Sequence, residues 1–333
     1  MPKVSIIICT CNRAADLRQT LDAVSGLIVP ADIEAEVLVI DNGSVDSTRE
    51  VVAGARPMKI PLRYIHEARR GKGYAYNRGM AEAAGEVFLF TDDDVRPPAH
   101  WIEGMCRPIL NGEADAIAGG VAIPSELRMP GDGDPAWIAC TKCLDPVRPE
   151  RLVGANMAFH RRVLECVPAF DVELGPGALG FADETLFGWQ LAEAGYRIAG
   201  RLDVAVVHHF DASRLSRKSL LAMAVKLGQC EAYIDYHWAH NERPDGLLVK
   251  LRARAALAAR RLLRWQKCYR QQCVMKWELE LVRARTAYLA HLSHERKHPR
   301  KYDKRGLRKH PSTPWASATE SPVGEFGVPH AIR

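Results

Sequence analysis

Apolar residues recur along the first 210 positions in two alternating rhythms. Residues 4–9 form a short, mostly apolar run, after which Leu17, Leu21, Val24 and Leu27 follow at helical spacing. The same exchange repeats: 36–40 reads as a strand and 46–53 as a helix, 62–65 is short and extended, 74–84 is helical, and 86–90 is a strand again. Strands alternating with helices predict an α/β class, a mostly parallel sheet covered by helices on both faces. Residues 116–123 read as a further strand broken by Gly119-Gly120, and 124–150, rich in Pro, Gly and Asp, as a surface excursion or lid. The pattern resumes at 154–159 and 175–181. The spacing then predicts a helix over 183–194 closed by Gly195, and a last strand at 204–207 that runs into His208-His209.

From about Arg214 the period becomes helical and stays so. Residues 247–295 read as one very long helix or two with a break. Leu247, Leu251, Ala255, Ala258, Leu262 and Trp265 share one face, and Lys250, Arg254, Arg260, Arg261 and Arg264 fall away from it. Residues 298–333 lack periodicity and are rich in Pro, Lys, Ser and His, a composition that predicts disorder. Three units result: an α/β domain over 1–213, a basic helical extension over 214–297, and a tail over 298–333.

Charge sharpens that division. The net of +6 combines 26 Lys and Arg against 34 Asp and Glu in residues 1–246 with 19 against 4 in residues 247–309. An acidic body of net −8 therefore carries a basic segment of net +15. Such a segment suits packing on the body, pairing with a second copy, or contact with an anionic membrane. Trp265, Tyr269 and Trp277 are too sparse to interleave with the charge as nucleic-acid binding requires. With 47% hydrophobic and 26% charged residues the composition is that of a soluble globular chain. No apolar run is long enough to cross a bilayer, and the run at 4–8 is too short for a signal peptide. Nine scattered cysteines, an odd number, fit a reducing cytoplasm, and the lone Cys140-Thr141-Lys142-Cys143 reads as two structural thiols.

Candidate chemistry gathers at strand ends, where open sheets bind ligands. Thr10-Cys11-Asn12-Arg13 follows the first strand and Asp41-Asn42-Gly43-Ser44 the second; Asp92-Asp93-Asp94 follows the fourth. Three consecutive carboxylates after a buried strand suit either a solvated turn or a divalent cation completed by water and ligand phosphates. Lys72, between two glycines before a helix, suits either phosphate or solvent.

Taken in order, Thr-x-Asn-Arg (10–13), Asp-Asn-Gly-Ser (41–44), Gly-Lys-Gly (71–73) with Asn-Arg-Gly (77–79), and Thr-Asp-Asp-Asp (91–94) resemble the family-2 glycosyltransferases of the GT-A fold. Gly-Ala-Asn-x-Ala-Phe-x-Arg (154–161), Ala-Asp-Glu-x-Leu (182–186) and Val-x-His-His (206–209) extend the resemblance over roughly residues 3–215. It implies inverting, non-processive transfer of one sugar from a nucleotide-diphosphate sugar, by default a UDP-sugar, to an acceptor hydroxyl. The setting it implies is surface glycan or glycolipid synthesis at the cytoplasmic or inner membrane face, with a lipid-linked glycan as one acceptor. Mn²⁺ or Mg²⁺ would assist, held by Asp93 with Asp94, while Asp92 faces the ribose. Thr10, Asn12 and Arg13 would line the nucleotide pocket, Asp41 would meet the base, and Lys72 and Asn77 would lie near the donor. Asp183 is the expected general base, with Glu184 taking the role if the alignment slips by one; an N-cap is the structural alternative for Asp183. His209, ahead of His208, is the expected further metal or phosphate contact. Three positions depart from the family pattern: Tyr76 where an Arg is common, Ala182 where an acid is common, and Gln190. Arg261-Leu262-Leu263-Arg264-Trp265 only approximates the Gln-x-x-Arg-Trp of processive relatives. A nucleotidyltransferase and a non-catalytic scaffold are the competing readings; the first lacks the glycine-rich basic loop it needs at 10–13.

Overall fold

The computed structural model describes residues 1–55, 59–127, 141, 151–244, 247–270 and 274–310, with backbone only for 247–254 and 270. The alternating first half folds as the rhythm predicts: β1 (Lys3–Thr10), α1 (Ala14–Ser25), β2 (Glu34–Asp41), α2 (Thr48–Ala53), β3 (Leu62–His66), α3 (Lys72–Glu82) and β4 (Val87–Asp92). Next come β5 (Val95–Arg96), α4 (Trp101–Leu110), β6 (Ala116–Ala122), β7 (Met157–His160), α5 (Asp183–Glu193) and β8 (Ile198–His208). Helix α4 has no counterpart in the sequence reading, because Gly104 and Pro108 interrupt it.

Eight described strands form one sheet in the order β3-β2-β1-β4-β7-β6-β8-β5. The β3-β2-β1-β4 half is parallel. Strand β7 enters antiparallel between β4 and β6, while β6 and β8 run parallel. The predicted break at Gly119-Gly120 is a register shift inside β6, not an end. A Cβ on Gly120 would lie 2.4 Å from the Leu202 carbonyl oxygen, so the backbones pass too closely there for a side chain.

Strand alternation divides the core in two. Val4, Ile6, Ile8, Val37, Val39, Val87 and Leu89 face α1, α2 and α4. Ile7, Leu38, Ile40, Phe88 and Phe90 face α3 and α5, where Tyr76, Phe170, Phe159 and Phe187 stack against one another. Polar side chains can thus collect only at strand ends, which is what places the site.

The extension begins with α6 (Arg217–His237), and the 247–295 region is two helices, α7 (Leu247–Leu263) and α8 (Lys276–Lys297). Helices α6 and α8 pack closely enough that a Cβ on Gly228 would sit 2.4 Å from the Arg283 carbonyl oxygen. No helix is long and apolar enough to cross a membrane among the described residues.

The expected disordered tail needs correcting. Residues 298–310 fold back as a strap closed by a bridge between Tyr302 and Lys309, while 311–333 lie outside the described residues. Opposite charge orders the strap. Lys309 and Tyr302 bond buried Asp171, at 2.5 and 2.7 Å, and Lys301 and Lys309 pair with Glu173. Of the 124–150 lid and its CxxC, only 124–127 and Thr141 are described, and Thr141 pairs with the backbone of Val121.

Candidate active site

A cleft of about 450 Å³ opens at the carboxyl ends of β1 and β4, where their helices have not yet covered the sheet. Thr10, Asn12, Arg13, Lys72, Asp92, Asp93, Asp94, Asp183, Glu184 and His208 all line it. A larger hollow of about 610 Å³, around Lys3, Glu36 and Lys59, lies at the opposite ends of β1 and β2.

The three carboxylates are not equivalent. Asp92, the last residue of β4, receives the Lys72 ammonium at 2.5 Å. Asp93 is spent on the protein: the Thr10 hydroxyl donates to one oxygen at 2.7 Å and the Arg13 guanidinium to the other at 2.9 Å. Burial pushes Asp93 up to about 7 despite Arg13. Asp94 receives the other arm of Arg13 at 2.7 Å and lies 3.3 Å from His208 Nε2, yet its Oδ1 is buried without a partner. Burial alone would raise Asp94, but His208 and Arg13 hold it well below the usual carboxylate range.

Of the two carboxylates expected to meet a cation, Asp94 has an oxygen without a protein partner and Asp93 has both oxygens hydrogen-bonded; of the two histidines, the His208 side chain lies beside Asp94. The cause is strand pairing: β5 pairs antiparallel with β8, with Val95 opposite His208. That register brings His208 to the neighbouring Asp94, and His209 meets Asp94 only through its backbone N–H at 2.8 Å. No three His, Cys, Asp or Glu side chains form a metal cage among the described residues. Asp94 and His208 fit a Mg²⁺- or Mn²⁺-type ion that takes its other ligands from water and phosphate.

Opposite the triplet stands a loop with left-handed glycines at Gly175, Gly177 and Gly180. It interlocks with the loop before α3: the Lys72 N–H donates to Pro176 O at 2.8 Å, and a Cβ on Gly177 would strike Gly71 Cα at 2.8 Å. Ala182, itself left-handed at φ +71°, turns the chain into α5. Asp183 is thus the first residue of the helix and not its cap, and no side chain caps that end. Its Oδ2 is buried and unpartnered. Burial and the neighbouring Asp183 push Glu184 well above its ordinary range.

Besides His209, two expected residues, Asp41 and Asn77, stand outside the cleft. Asp41 accepts from the Ser44 N–H at 2.8 Å and the Tyr64 hydroxyl at 2.6 Å, and so shapes the 41–45 turn. Asn77 bonds both backbone groups of Phe170 at 2.9 Å. Asn12, left-handed at φ +55°, points its side-chain oxygen at the Val45 N–H, 2.8 Å away. Tyr76, the departure beside Asn77, is buried under the Lys72 ammonium at 5.0 Å. Asn42 of the 41–44 motif also lines the cleft, as do Arg70 and Arg214, which were not singled out in the sequence; Arg214 Nη1 lies 3.8 Å from Asp94. The only advance signal for Arg70 was its place beside Gly71-Lys72.

Residues 5–129 match the family model described as Glycosyl transferase family 2. The Glycosyltransferase AglE of Haloferax volcanii is 31% identical over 137 residues, 41% of this chain and 43% of that protein. The glucosyl-3-phosphoglycerate synthase of Mycobacterium tuberculosis is 28% identical over 198 residues, 52% of this chain and 59% of that protein. The chain therefore spans about two to three fifths of the length of these relatives. In structure it is similar to a mannosyltransferase from Pyrobaculum calidifontis solved with GDP-Man and Mn²⁺, with a TM-score of 0.59, 22% identity and 87% of both chains covered. That likeness shows the GT-A fold.

Proposed function

We propose, from the premise that this chain belongs to glycosyl transferase family 2 through residues 5–129, that its cleft transfers one sugar from a nucleotide-diphosphate donor to an acceptor hydroxyl with inversion. The carrying observation is a pair of buried, unpartnered carboxylate oxygens, Asp94 Oδ1 and Asp183 Oδ2, in one cleft. Leaving such atoms unsatisfied costs about 1–3 kcal/mol each, which a ligand on each side repays. Asp94 and His208 would hold the divalent cation, and a bound cation supplies charge neutralisation to the departing diphosphate. Arg13, Lys72, Arg70 and Arg214 add fixed positive charge on the same side. Asp183 takes the proton of the acceptor hydroxyl as its oxygen bonds to the anomeric carbon and the carbon–phosphate-oxygen bond breaks on the other face. The mannosyltransferase that shares this fold holds GDP-Man and Mn²⁺, which supports a nucleotide-sugar donor here.

The test is thermal stability with UDP, GDP and dTDP, each with and without Mn²⁺. Saturation at 100 times Kd stabilises a folded protein by about 2.7 kcal/mol. We expect one nucleotide to stabilise the chain only with metal, and Asp94→Ala to abolish the gain. A metal-dependent gain that survives Asp94→Ala removes the proposed cation site, and no gain with any nucleotide removes the donor reading.

A further inference from the structure

The loop from Asp171 to Ala182 leads the chain into α5 at Asp183 and contains no strand or helix of its own. It folds on itself through Gly175 N–H to Phe181 O at 3.0 Å, Gly180 N–H to Gly175 O at 2.8 Å and Leu179 N–H to Glu173 O at 3.2 Å. The left-handed glycines at 175, 177 and 180 leave such a backbone many other conformations, so contacts from outside must select this one. On the cleft side the loop meets backbone: a Cβ on Gly73 would lie 3.0 Å from Val172 Cα. On the far side its root is anchored by two acids, to which four side chains donate among the described residues. Tyr233 of α6 bonds Asp171 Oδ2 and Glu173 Oε2, both at 2.8 Å. The other three belong to the strap. Tyr302 reaches Asp171 Oδ2 at 2.7 Å, Lys309 reaches Asp171 Oδ1 at 2.5 Å and Glu173 Oε2 at 2.7 Å, and Lys301 pairs with Glu173.

We propose that Lys309 and Tyr302 are positioning residues for the cleft, which through Asp171 and Glu173 hold Gly175 against Asp183 and so fix where the Asp183 carboxylate stands. The inference rests on the reading of Asp183 as the base. Two observations connect the strap to that carboxylate. Tyr302 joins Leu174 and Leu186 in one buried apolar cluster, with Ala182 packed against it, so the strap touches the chain on both sides of Asp183. Gly175, two residues beyond Glu173, comes close enough that a Cβ there would lie 2.7 Å from Asp183 Oδ2. A shift at the root of the loop therefore reaches the base within a few bonds. The donor side is independent of the strap: Arg13 and His208 bond the acidic triplet. Loosening the strap should thus move the base and leave nucleotide binding alone.

The experiment compares Lys309→Met, Lys309→Arg and Tyr302→Phe in the full chain, each shown to be folded by circular dichroism at the assay temperature. Hydrogen exchange, read by mass spectrometry over residues 172–183, should quicken about tenfold in Lys309→Met at times when β1 and β4 stay protected, since one charge-assisted bond closes the loop. Hydrolysis of the nucleotide sugar, with water as acceptor, should fall at least about tenfold in the same variant while Kd for nucleotide with Mn²⁺ is unchanged. Lys309→Arg should recover both, and Tyr302→Phe, which keeps the ring in its cluster, should show a smaller loss. Tyr302→Phe carries the test if Lys309→Met does not fold. Loop exchange equal to wild type overturns the proposal, as does hydrolysis that is unchanged or that falls in step with nucleotide affinity. Asp183→Asn separates this from the reading beneath it. Hydrolysis as fast as wild type in Asp183→Asn removes the base itself; hydrolysis lost there but normal in the strap variants removes the strap's role alone.

Discussion

Replacing Gly175 with alanine isolates the position of the proposed base. The backbone at Gly175 is left-handed at φ +79°, and an added Cβ would lie 2.7 Å from Asp183 Oδ2 and 2.8 Å from its Cγ. Gly195 provides the control: φ is +82°, but a Cβ there meets nothing within 4 Å. Both substitutions carry the left-handed strain, about 1–2 kcal/mol. Only Gly175→Ala must also push the Asp183 carboxylate aside by several tenths of an ångström or more, because carbon and oxygen do not approach to 2.7 Å. Displacement of a reacting group by about 1 Å costs on the order of 100-fold in rate. We therefore expect both variants to lose similar stability in urea titrations. Turnover of the nucleotide sugar should fall about 100-fold in Gly175→Ala and stay near wild type in Gly195→Ala, with nucleotide affinity unchanged in both. Equal turnover in the two variants would refute the role given to Asp183.

Three more predictions concern charge. Lys72→Met leaves Asp92 without its 2.5 Å partner beside the nucleotide pocket, and should weaken UDP or GDP binding in calorimetry by about tenfold, the worth of one charge-assisted hydrogen bond. Lys309→Met strips buried Asp171 of its cation and should cost about 3 kcal/mol in chemical denaturation, with Lys309→Arg recovering part of it. Burial, with Lys301 and His294 nearby, holds His237 down to about 3, and burial with His298 and Lys301 holds His294 down to about 4. Both imidazoles therefore stay neutral in the folded chain while the unfolded chain takes up protons below about 6.5. The stability they contribute is complete above that pH and is lost as pH falls toward 4. For His237 the loss is about 1.4 kcal/mol at pH 5.5, which melts at pH 7.5 and 5.5 would show.

The sheet was legible because β1, β2 and β4 are buried strands whose alternate residues fill two separate cores. The cleft was legible because the polar clusters 10–13, 41–44 and 92–94 all lie at the carboxyl ends of those strands. What could not be read were relations between distant segments. Within Asp92-Asp93-Asp94 the strand ends at Asp92 and the chain turns, so alternation no longer tells which carboxylate points where. His208 and His209 are neighbours in sequence, and only the pairing of β5 with β8 decides between them. Strand β7 could not be recognised as antiparallel, since its partners β4 and β6 are set by tertiary packing. The strap at 298–310 has the composition of a disordered tail, and its order comes from two acids, Asp171 and Glu173, more than 120 residues earlier.

That strap also imposes an order of events on synthesis. Asp171 and Lys309 are 138 residues apart, so at about 5–20 residues per second the acid precedes its cation by roughly 7 to 28 seconds. Once β8 is complete at His208 every strand of the sheet can pair, but the loop leading from Asp171 to Asp183 still has no Lys301 or Lys309 to close against. A ribosome that stalls between His208 and Lys309 would leave a chain with a finished sheet and an unfinished cleft. The last described turn of the polypeptide thus acts as a completion signal for a site whose other parts were made long before.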